Sequence, residues 1–131
     1  MLAIQAPTNA LLAKAVGSPV NAALISFIIG ALALLGAALL LGGRPSLSAA
    51  RALPFYAWAG GLYGAVFIAV AAFAAPRMGV TFFLTVAIAG QLLTALLLDR
   101  FGAFGLERVE LSPTRLAGIA LVLGGVLLVS K

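Results

Sequence analysis

The sequence predicts an all-α integral membrane protein, a five-helix transmembrane bundle whose first helix is short or truncated. Two observations carry this. The 131 residues are 64% hydrophobic and only 8% charged, with a mean hydropathy of +1.24. A soluble domain keeps about a quarter of its residues charged and about half apolar, so this chain has too little polar surface to face water. The apolar residues also fall into stretches of nearly uniform length, and crossing about 30 Å of hydrocarbon takes roughly 20 helical residues.

In chain order the predicted spans are residues 1–16, 19–41, 54–75, 80–98 and 113–130. The last four are each close to a bilayer in length. The first is interrupted by Pro7 and Lys14, and even as a complete helix reaches only about 24 Å at 1.5 Å per residue. It lacks the basic opening region and cleavage pattern of a signal peptide, which leaves a membrane-inserted partial span. Gly17 is placed to close the first helix, with Ser18 and Pro19 as N-cap and first-turn residue of the second. Gly42, Gly43 and Pro45 end the second helix, Pro76 and Gly79 separate the third from the fourth, and Ser112 and Pro113 open the fifth. The short connections make consecutive helices antiparallel neighbours in one transmembrane domain, with at most a surface turn around "SLSAARA".

The chain has no cysteine and no histidine, which removes disulfides, thiol chemistry and the commonest metal ligands. No nucleophile–base or metal constellation is present, so neither enzymatic activity nor a cofactor is expected. Net charge is +5, but the basic residues are single and lie at helix ends, without the clustered face that nucleic acid needs. They read as interfacial anchors. Arg44, Arg51, Arg100, Arg108 and Arg115 fall on the side of the amino terminus, and Lys14, Arg77 and Lys131 on the other. That bias is weak under the positive-inside rule, and predicts a chain able to insert in either orientation. With five spans the termini lie on opposite faces, so a tandem second copy would enter inverted, as in transporters built from inverted repeats. A lone five-helix unit therefore suggests half a transporter.

The run "AIQAPTNALLAKAVGSPVNAALISFIIGALALL", followed by "WAGGLYGAVFIAVAAFAAPRMGVTFFLTVAIAGQLLTALLLDRFGAFG" and "LSPTRLAGIALVLGGVLLV", resembles the YdcZ-like single-domain family of the drug/metabolite transporter (DMT) superfamily over nearly the whole chain. The more distinctive pieces are Gln5 with Asn9, Gly60-Gly61 after Trp58, Pro76 with Gly79, and Ala89-Gly90-Gln91 leading to Leu98-Asp99. The resemblance implies an inner-membrane protein with an EamA-like half-transporter fold, which pairs with an inverted copy of itself or with a paralogous subunit as an antiparallel dimer. Members usually carry further apolar residues ahead of the Gln5 region, so the lining contributed by the first helix is the part least like theirs.

Polar side chains in hydrocarbon face the bundle or a wet cavity, because facing lipid leaves their hydrogen bonds unmade. Gln5 and Asn9 are four apart on one helix face, with Pro7 between them. They read either as a cavity-lining pair or as helix-to-helix hydrogen bonding. Gln91 and Thr94 form the most deeply placed polar pair, and Gln91 reads either as the leading candidate for a cavity residue in contact with substrate or as a packing residue. Thr81 and Thr85 lie on another face of the same helix and are expected to bond back to its carbonyls. Tyr63 offers a ring and hydroxyl, or simple packing. Asn21 and Ser26 pose the same question more weakly. Gly60, Gly61, Gly64 and Gly90 are expected to let helices approach closely. A further close contact, within the chain or at a subunit interface, is expected at Gly118, Gly124 and Gly125, and Phe55, Tyr56 and Trp58 fit an interfacial aromatic belt. Asp99 reads either as a weak candidate for ion coupling or as a helix-end acid paired with or screened by Arg100. Small multidrug exporters of the same superfamily rely on an acid inside the first helix, where this chain offers Gln5 and Asn9.

These readings together predict a secondary transporter or facilitator for a small metabolite or drug-like molecule, working by alternating access in the lipid bilayer. A dual-topology ion channel and a non-transporting membrane subunit that requires a partner are the rival readings.

Overall fold

Helix boundaries follow from the capping residues. Gly17 takes a left-handed φ of +73°, which ends the first helix, and the Ser18 side chain accepts a hydrogen bond from the Asn21 N–H at 3.3 Å to open the second. Ser112 does the same for the last helix through the Arg115 N–H, also at 3.3 Å. The computed structural model describes residues 2–42 and 46–131. Its α-helices are α1 (Leu2–Val16), α2 (Pro19–Leu40), α3 (Leu47–Arg51), α4 (Gly60–Met78), α5 (Val80–Phe101) and α6 (Pro113–Val129), with short 3-10 turns at Phe55–Trp58 and Ala103–Gly105. The expected roles of Gly43, Arg44 and Pro45 lie outside the described residues.

Among the described residues three helices, α2, α4 and α5, are long and apolar enough to cross a membrane, and α6 is a shorter apolar helix of 17 residues. At 1.5 Å per residue, α2 and α5 reach about 33 Å, α4 about 28 Å, α6 about 26 Å and α1 about 22 Å. α6 therefore falls a few ångströms short of the full bilayer length that the sequence suggested. α1 runs through Pro7 and Lys14 without interruption. Pro7 lies in its second turn, where the missing N–H costs one backbone bond, and the Thr8 hydroxyl donates to the Ile4 and Gln5 carbonyls, each at 3.0 Å.

Two other boundaries differ from the sequence expectation. The third long helix does not start at residue 54: Pro54 leads into the 3-10 turn, which carries the exposed Phe55, Tyr56 and Trp58, and α4 begins only at Gly60. Pro76 does not end it either. Pro76 sits inside the last turn, where only the bond to the Ala72 carbonyl is lost, and the helix continues until Gly79 turns the chain at a φ of +84°. Arg77 lies 3.7 Å over the Phe73 ring and donates to the Phe73 carbonyl, so its charge sits on a helix C-terminus, where the macrodipole favours it. α5 runs three residues past the expected end at 98, until left-handed Gly102 donates its N–H to the Leu98 carbonyl. The "SLSAARA" segment is the short helix α3, capped by Ser46 through the Ala49 N–H.

The described chain forms two compact units, residues 1–77 and 78–131. In the first, α1 packs on α2 as a tight hairpin, and its centre is the cluster Ala13, Ala22 and Ala72, with Leu12 against it. Alanines at that position let the helix backbones come close, the usual solution where lipid tails remove any hydrophobic drive between helices. In the second unit α5 packs on α6, and the turn at Ala103–Gly105 folds against the end of α5. The Val109 N–H donates to the Asp99 carbonyl at 3.0 Å and ties the connecting segment down. Large apolar side chains on every long helix point outward, among them Leu39, Leu62, Leu97 and Leu121, as a lipid-facing surface requires.

Candidate functional site

Among the described residues of the first unit is a part-buried polar contact between two helices. Asn9 on α1 is 5% exposed, and its Oδ1 accepts a hydrogen bond from the half-buried Ser26 hydroxyl on α2. Asn9 lies seven residues before the end of α1 at Val16, and Ser26 seven residues after the start of α2 at Pro19. In an antiparallel hairpin equal distances from the turn put residues opposite each other, which is why this pair meets. Gln5, one turn further from the hairpin, is half-buried. The contact is a hydrogen bond between helices, with a partner, Ser26, that the sequence ranked lower.

Phe27, next to Ser26, fills the space at Gly64 of α4. A Cβ on Gly64 would lie 3.1 Å from the Phe27 ring, tighter than ordinary contact, so this glycine accommodates an aromatic ring rather than a second backbone. No described atom lies within 4 Å of a Cβ built on Gly60, Gly61, Gly90, Gly118, Gly124 or Gly125. Among the described residues of its own unit, none of these six glycines meets a neighbouring helix within that distance. Tyr63 is exposed on α4.

In the second unit Gln91 lies eleven residues after Val80 and ten before Phe101, at the midpoint of α5, and is exposed. Thr94 does not share its role as a free polar group: its hydroxyl donates to the Gly90 carbonyl of its own helix at 2.9 Å. Thr85 bonds back to Thr81 in the same way, at 2.8 Å, as expected.

Asp99 is paired with Arg115 of α6, Nη1 to Oδ2 at 3.2 Å, rather than with its neighbour Arg100. Adjacent residues on a helix point about 100° apart, so Arg100 is turned away, while α6 brings Arg115 opposite. The hairpin register again gave the signal, since Asp99 is two residues before Phe101 and Arg115 two after Pro113. The pair closes one end of a groove of about 430 Å³ between α5 and α6, walled by Leu92, Leu96, Gly118 and Val122 among others.

Long apolar helices that pack through alanines define the class: a multi-pass membrane protein. The chain matches the DMT_YdcZ family, described as "Putative inner membrane exporter, YdcZ", over residues 1–128. It belongs to that family of membrane transporters, and its place is the inner membrane. No curated protein and no solved structure matches it significantly.

Proposed function

We propose that the chain acts as a single five-helix transmembrane domain, a half-transporter that pairs with an inverted copy of itself or a paralogous subunit. The antiparallel dimer moves a small metabolite or drug-like molecule across the inner membrane by alternating access. One observation carries this reading. Gln91, an amide with two donors and an acceptor, is exposed at the midpoint of a helix as long as the bilayer is thick. Lipid cannot satisfy it, so a wet cavity or another polar helix surface covers it, and a site near the midplane at a repeat interface is where transporters of inverted design hold their substrate.

In this reading Gln91 is the principal substrate contact. Gln5 and Tyr63 are further candidate contacts, Asn9 is the buried partner of Ser26 that holds the α1–α2 hairpin, and Thr94, engaged with its own helix, has a lesser part. Asp99 serves the ion pair with Arg115 rather than ion coupling.

The orientation arm of the test uses the absence of cysteine. Ser130, exposed at the end of α6, is replaced by cysteine and labelled in intact cells with a membrane-impermeant thiol reagent. About half of the total labelled after permeabilisation is expected for a dual-topology homodimer. Labelling of all or none in cells lacking any paralogous subunit, with flux still saturable in vesicles, would overturn the inverted homodimer. Flux that never saturates would replace the carrier by a channel.

A further inference from the structure

We propose that the groove between α5 and α6 is a binding site for one zwitterionic phospholipid bearing a primary ammonium, with the phosphate on Arg115, the ammonium on Asp99 and an acyl chain along the apolar walls. The site is distinct from the mid-membrane residues assigned above to substrate.

Depth is the first argument. Asp99 and Arg115 each lie two residues from the hairpin end of their helix, which is headgroup level for helices that span the bilayer. From there the groove runs inward with matched walls. Leu96 and Gly118 are each five residues from the helix end, and Leu92 and Val122 each nine. Seven residues separate Asp99 from Leu92 and Arg115 from Val122, which makes both walls about 10 Å long at 1.5 Å per residue. The groove therefore starts at the polar interface and ends in hydrocarbon, as a lipid does.

Charge is the second argument. Asp99 and Arg115 meet through one Nη1–Oδ2 contact at 3.2 Å, and their side chains remain 32% and 46% exposed. A guanidinium carries five N–H donors and a carboxylate about four acceptor positions, so both retain capacity for a ligand. A ligand with only one charge would satisfy one partner and repel the other, whereas a phosphate with a neighbouring ammonium matches both. The volume, about 430 Å³, suits a chain segment and not a whole protein side. Gly118 keeps the floor open, since no described atom lies within 4 Å of a Cβ there.

The test is native mass spectrometry of the purified full-length protein in micelles. It is titrated with phosphatidylethanolamine, phosphatidylcholine and phosphatidylglycerol of identical acyl chains. Phosphatidylethanolamine is expected to be retained as a single adduct about tenfold more tightly than the other two, since a quaternary ammonium cannot donate to Asp99 and a glycerol carries no charge. Asp99→Asn should erase the preference for phosphatidylethanolamine over phosphatidylcholine. Gly118→Leu, or independently Val122→Phe, should weaken retention of all three lipids by filling the groove. Equal retention of the three lipids by the unaltered protein would overturn the proposal, as would a preference that survives Asp99→Asn. The comparison of lipids on the unaltered chain stands even where a variant fails to fold.

Discussion

Asn9 and Ser26 are opposite one another because each stands seven residues from the α1–α2 turn, and the Ser26 hydroxyl donates to the Asn9 side-chain oxygen across the hairpin. Gly17 and the Ser18 cap set the turn, the turn sets the register, and the register buries an otherwise expensive amide. A change in loop length should misalign the pair as surely as removing either side chain.

Asn9→Ala and Ser26→Ala should each destabilise the protein, and a double-mutant cycle should return a coupling of about 0.6–2 kcal/mol, the range for hydrogen bonds between membrane helices. Reversible unfolding in bicelles measures it. Additive single effects would mean the contact contributes nothing as a pair.

Gly64 faces the Phe27 ring so closely that Gly64→Ala should cost about 1–3 kcal/mol, the range for overpacking, while Gly60→Ala and Gly61→Ala, where the Cβ meets nothing within 4 Å, should be nearly neutral within the monomer. Phe27→Leu should restore much of the loss at Gly64. Thermal unfolding in detergent compares the four variants.

Gly102 has a φ of +60°, and a Cβ there would lie 2.8 Å from the Arg108 side chain and 2.9 Å from the Leu106 carbonyl. Gly102→Ala should therefore cost at least about 1–2 kcal/mol from backbone strain alone, and more because the carbonyl cannot yield. Hydrogen exchange at Val109, whose N–H bonds to the Asp99 carbonyl, should rise with it.

Gln91→Leu should leave the helix intact and lower substrate flux about tenfold or more, the equivalent of one lost hydrogen bond to a buried polar group. Thr94→Val should have a smaller effect, since its hydroxyl is already bonded to the Gly90 carbonyl. Flux into proteoliposomes, normalised to inserted protein, reads both. Equal losses would place Thr94 in contact with substrate and break the distinction drawn here.

Most helix ends were legible in the sequence because caps are local. Gly17, Ser18 and Ser112 act on residues within one turn, so a few letters suffice. Pro76 misled for a related reason: its effect depends on how many backbone bonds follow it, and close to a helix end it removes only one. The distance from Pro54 to the start of α4 was similarly hidden, because a 3-10 turn and an α-turn use the same apolar and aromatic residues.

Composition and periodic length by themselves determined that this chain lives in a bilayer, that it is built of long apolar helices, and roughly where its few polar residues lie along them. The family match over residues 1–128 agrees with that reading. Only the tertiary structure decided which polar groups face one another: Asn9 with Ser26 rather than with Gln5, Asp99 with Arg115 rather than Arg100, Gly64 with a ring and Gln91 with nothing in its own helix pair. The physical reason is that hydrocarbon burial is a one-dimensional property of a segment, readable from its letters. A hydrogen bond or an ion pair instead requires two segments in a fixed register, and that register exists only once the helices have packed.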